Sequence, residues 1–79
     1  MGYGIKTIGR AYDRTGLSFF EALAFAAREC DRDAAAAVGV YHVETDRLIL
    51  SMSTRSDGEC VVCDRDGVRI VDLRGYGEV

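Results

Sequence analysis

The residues of this 79-residue chain that could do chemistry are three cysteines, one histidine and thirteen Asp and Glu. Cys60-Val61-Val62-Cys63 has the C-x-x-C spacing of zinc and redox sites, which need both sulfurs on one side of a turn or helix start. Two β-branched valines between the thiols read as strand instead, and residues three apart in a strand point to opposite faces. Zinc would also need about two further ligands, and only Cys30 and His42 could supply them. The expectation is reduced, metal-free thiols, which the odd cysteine count also favours. His42 as a general base wants a nucleophile and an orienting carboxylate. Ser51 on the next strand and Glu44 on the same face could provide them, but a flat sheet supplies neither a pocket nor an oxyanion hole. No catalytic residue, no cofactor and no enzymatic activity are expected. Asp64-Arg65-Asp66-Gly67 opens like a calcium loop, yet Gly75 stands at the twelfth position, where a bidentate Glu belongs. Cys30-Asp31-Arg32-Asp33 recurs as Cys63-Asp64-Arg65-Asp66. One copy should end a helix and the other open a turn, so the repeat reads as coincidence. Gly2-x-Gly4 does not lead a strand into a helix, which excludes a phosphate loop.

What remains is the distribution of carboxylates. Glu21, Glu29, Asp31 and Asp33 gather on the outer side and end of one helix, and Asp57, Glu59, Asp64 and Asp66 at hairpin turns. They are either a solvated surface with turn-forming Asp or an acidic surface that occupies a basic groove on another protein.

The elements that position these residues are legible from local pattern. Residues 3–8 mix Ile, Thr and Tyr and read as a first strand, followed by a polar connection over 9–16. Ser18-Phe19-Phe20-Glu21 is a capping box, with Leu17 placed to pack on Ala22 as a hydrophobic staple. The helix should run over 19–30, with Phe19, Phe20, Leu23, Ala26, Ala27 and Cys30 on its buried face. Phe25 falls amid the polar face with Glu21, Arg28 and Glu29, either covered by a loop or exposed for a partner.

From Val38 the pattern turns to period two with β-branched residues. Strands over 38–44 and 47–54 flank a turn at Thr45-Asp46, a register that pairs Glu44 with Arg47, Val43 with Leu48 and Tyr41 with Leu50. Arg55-Ser56-Asp57-Gly58 and Asp64-Arg65-Asp66-Gly67 both read as three-residue hairpin loops closed by a left-handed Gly. They bound strands over 59–63 and 68–73 and align Met52, Val62 and Ile70 on the helix face, with Leu48, Leu50 and Val68 nearby. Val40, His42, Ile49, Ser51, Val61, Arg69 and Val71 would form a mixed opposite face. The fold expected is α+β: one amphipathic helix on a four- to five-stranded antiparallel sheet, in the order β-α-β-β-β-β, with a meander of hairpins. One domain covers 1–79, with a flexible tail over 74–79.

Composition narrows the function classes. No apolar run approaches the roughly 18 residues of a membrane span, and residues 1–6 lack a signal peptide's apolar stretch. The chain is expected in the cytoplasm. A net charge of −3 disfavours direct nucleic-acid binding and suits docking on a basic partner.

From Met1-Gly2-Tyr3-Gly4-Ile5-Lys6 through Ser18-Phe19-Phe20-Glu21 to the Asp-Gly hairpins, the whole chain resembles phage- or prophage-encoded anti-CRISPR proteins. It is nearest to the small inhibitors of type I systems, type I-C among them. These share no common motif, so no functional residue carries over. The resemblance implies a non-enzymatic protein that binds a subunit of the effector complex, a basic nucleic-acid-binding one, and blocks target DNA recognition. The contact residues expected from the surface pattern are Glu21, Phe25, Glu29, Asp31, Asp33, Asp64 and Asp66, on a monomer. The alternative is a small structural or oligomeric subunit that associates through the sheet face or an edge strand.

Overall fold

Five strands and one helix follow each other as β1 (Tyr3–Thr7), β2 (Arg14–Leu17), α1 (Phe19–Arg32), β3 (Val38–His42), β4 (Arg47–Thr54) and β5 (Cys60–Asp64). They come from a computed structural model that describes residues 2–32 and 37–70. The strands form one antiparallel sheet in the order β2-β1-β3-β4-β5, and α1 packs across one face of it. The fold is therefore α+β, as the pattern of periods implies.

The capping box is present in both directions. The Ser18 N–H donates to Glu21 Oε1 at 2.9 Å and the Glu21 N–H to Ser18 Oγ at 3.2 Å, satisfying two helix-start donors. The two Asp-Gly loops are also as the sequence implies. Gly58 and Gly67 have φ of +88° and +86°, and their N–H groups donate to the Arg55 and Asp64 carbonyls. Met52 pairs with Val62, and the Ile70 N–H donates to the Val62 carbonyl, so those three align on the helix face.

Three expectations are corrected. First, the polar run over 9–16 is not all connection. Its end is β2, which pairs with β1 and forms one edge of the sheet. Only Leu17 of its four residues is even half-buried, so it carries no hydrophobic alternation to signal a strand.

Second, β3 and β4 pair out of the expected register, by one residue up to Val40 and by two beyond it. Val40 stands opposite Leu50 and Tyr41 opposite Leu48, with Ile49 as the extra residue of a β-bulge, and His42 opposite Arg47. The tight Thr45-Asp46 turn gives way to a longer loop because Val43 belongs to the other side: its N–H donates to the Gly2 carbonyl at 3.3 Å. A slip of one residue exchanges the faces of a strand. Val40 is accordingly fully buried in the core, and Ile49 packs against that core rather than lying on the outer face.

Third, the helix is rotated from the expected arc. Phe19, Ala22, Ala26 and Cys30 are buried, joining Ile5, Val38, Val40, Leu50 and Met52. Ala27 is exposed and Phe20 is 79% exposed. The small Ala22 and Ala26 let the helix backbone approach the sheet. Of the strand expected over 68–73, the described residues 68–70 pair with β5, with a bridge between Cys63 and Arg69, and Val68 is exposed rather than near the helix face. Val71 and the tail over 74–79 lie outside the described residues.

Candidate functional site

The thiols are set by strand alternation. Thr54 and Cys60 are cross-strand partners, and Thr54 Oγ1 donates to the Cys30 carbonyl at 3.2 Å, so Cys60 lies on the helix side. Cys63 pairs with Ser51 and points the other way. The two sulfurs of the C-x-x-C segment thus stand on opposite faces of β5. Burial, and then the neighbouring Cys60 thiol, push the Cys30 thiol up. Among the described residues no group of three or more His, Cys, Asp and Glu is placed to hold a metal ion.

His42 does not meet Ser51. Its cross-strand partner is Arg47, Ser51 stands opposite Gly39, and the imidazole leans on the Tyr3 ring at 4.8 Å. His42, Arg47 and Arg65 share a shallow groove of about 320 Å³ with Asp64 and Asp66. Asp64 is taken up by its own turn, Oδ1 accepting from the Asp66 and Val68 N–H groups at 2.9 Å each. That corner carries both signs and is not an acidic face.

The helix carboxylates divide by role. Glu21 caps, and Glu29 pairs with Arg32 at 2.8 Å. Asp31 is exposed with no ion pair among the described residues, and Asp33 lies outside them. Phe25 is not a free anchor. It is half-buried against the core, with the Arg14 guanidinium stacked on its ring at 4.1 Å and that of Arg28 at 5.9 Å. Phe20 is the most exposed large apolar residue among the described ones, ahead of Val68 and Ile8. With Ala24 and Ala27 it makes an exposed stripe at i, i+4 and i+7, continued by Asp31 at i+11.

A second cluster lies on the outer face of the sheet. Lys6 sits between the rings of Tyr12 and Tyr41, 4.5 Å from each centroid, and donates to Asp46 Oδ1 at 3.1 Å. The Tyr12 hydroxyl donates to the same oxygen. Desolvation first, and then that hydrogen bond, push Tyr12 up to about 12, while Asp46 is held below its ordinary value chiefly by Tyr12 and then by Lys6. The rings fit because Gly39 and Gly4 have no side chain. A Cβ on Gly39 would stand 2.5 Å from Tyr41 Cε1, and one on Gly4 3.0 Å from Tyr12 Cδ1. Glycines inside strands were the available sequence signal for such close approach. Asp46 adopts φ +53° in the loop after β3.

Compared with protein-family models, curated proteins and solved structures, the chain matches none. Among the described residues no helix is long and apolar enough to cross a membrane. The features left for function are the Phe20 stripe, the mixed groove beside His42 and the arginines around Phe25.

Proposed function

We propose that the protein is a non-enzymatic inhibitor that works by binding another protein through the outer face of α1. The observation that carries the reading is Phe20. A large aromatic side chain is 79% exposed on the chain's α1 helix, with exposed Ala24 and Ala27 extending it and Asp31 at its end. Such a stripe is the pattern by which a helix docks in an apolar groove. An aromatic anchor supplies affinity there, while rim charges steer the encounter. The partner that fits is an apolar groove bordered by Lys or Arg. The resemblance to type I anti-CRISPR proteins supports a basic, nucleic-acid-binding subunit of the effector complex as that partner, in the cytoplasm of the host cell.

The test is surface plasmon resonance against a purified type I effector complex. Phe20→Ala should weaken binding by about 30-fold or more, mostly through faster dissociation. Asp31→Lys should mainly slow association, with an effect that shrinks as salt is raised. Wild-type kinetics in both folded variants would remove this face as the contact.

A further inference from the structure

Phe25, which the sequence places amid Glu21, Arg28 and Glu29, lines a basic cleft. Arg14 from β2 and Arg28 and Arg32 from α1 converge with it around a space of about 240 Å³. Among the described residues one carboxylate lines that space, Glu29, and it is bound to Arg32. Arg14 and Arg28 have no carboxylate partner among the described residues, and both lean on the Phe25 ring. The feature specific to this pair is that both guanidiniums gather on one aromatic ring with no ion pair among the described residues.

We propose that this cleft between β2 and α1 is a binding site for a phosphate-type dianion, such as a phosphomonoester. Two charges remain after Glu29 neutralises Arg32, and a phosphomonoester carries about −1.5 to −2 at pH 7. Guanidinium groups present several N–H donors in a planar fork that matches phosphate oxygens. Stacking on Phe25 holds the Arg14 plane in place, so less side-chain freedom is lost on binding. Arg28 closes the cleft from the next helical turn. Arg32, fixed by Glu29, borders it and adds a further donor.

The experiment is a titration with inorganic phosphate followed by two-dimensional NMR of the full chain, at constant ionic strength set with chloride. The expected result is saturable shifts centred on Arg14, Phe25 and Arg28, with a dissociation constant on the order of 1 mM. Arg28→Gln should weaken binding about tenfold or more with the fold intact, as should Arg14→Gln where its spectrum remains native. Acetate, a monoanion, should bind more weakly than phosphate. A thymidine oligonucleotide, whose diester phosphates carry one charge each, should also bind more weakly at equal phosphate concentration. Shifts that never saturate, equal affinity for acetate, or unchanged affinity in Arg28→Gln would overturn the proposal. Tighter binding of the oligonucleotide would overturn it in favour of a nucleic-acid backbone site.

Discussion

Phe19 and Phe20 are chain neighbours in one helical turn, and alanine at each should give opposite results. Phe19 is 6% exposed and packs edge-on to Tyr3 at 5.4 Å between centroids. Truncating a buried Phe removes its transfer free energy and leaves a cavity, about 3–5 kcal/mol in all. A domain this small has only a few kcal/mol of net stability, so Phe19→Ala should be largely unfolded or melt at least roughly 15 °C lower. Phe20 has about a fifth of its surface buried, and its alanine variant should lose no more than about 0.5 kcal/mol. Urea denaturation followed by circular dichroism measures both. Equal losses in the two variants would refute the reasoning, because the helix would then be rotated to bury both rings.

Other contacts in the structure carry their own tests. Ser18→Ala should cost about 0.5–2 kcal/mol by removing the capping hydroxyl, and an unchanged denaturation midpoint would mean that the helix starts elsewhere. Tyr12 has a folded value raised above its ordinary 10 to about 12, so its contribution is intact below pH 10 and lost as pH rises from 10 to 12. Absorbance titration of phenolate should show this late tyrosine, and Asp46→Asn should move it down. Asp46 works in the opposite sense: its contribution is present above its ordinary value and disappears as pH falls through the lower folded one. Ellman's reagent should modify exposed Cys60 quickly and buried Cys30 only on unfolding, since burial both blocks Cys30 and disfavours its thiolate.

What was legible in the sequence was what a few consecutive residues decide. Ser18 and Glu21 close their reciprocal bonds within one turn, and the Gly of each Asp-Gly loop sets a local backbone conformation. The alternation that sends Cys60 and Cys63 to opposite faces is equally local. The register of β3 against β4 is not, because it depends on Gly2 taking the Val43 N–H and on Lys6 and Tyr12 drawing in Asp46, all distant in sequence. The helix arc was ambiguous for a different reason. Alanines and phenylalanines surround α1, so several arcs look apolar, and the position of β2 under Phe25 decides among them. Placing Phe25 as the anchor followed from that ambiguity. Arg14 covers it from a strand that has no hydrophobic alternation of its own.

The claim that the protein blocks DNA recognition by occupying a partner is tested most directly by an electrophoretic mobility shift of target DNA with a purified type I effector complex. Addition of the wild-type protein should abolish the shifted band in proportion to its concentration, and Phe20→Ala should leave the band in place at the same concentrations. An undiminished band at saturating wild-type protein, or equal loss of the band with Phe20→Ala, would contradict the account.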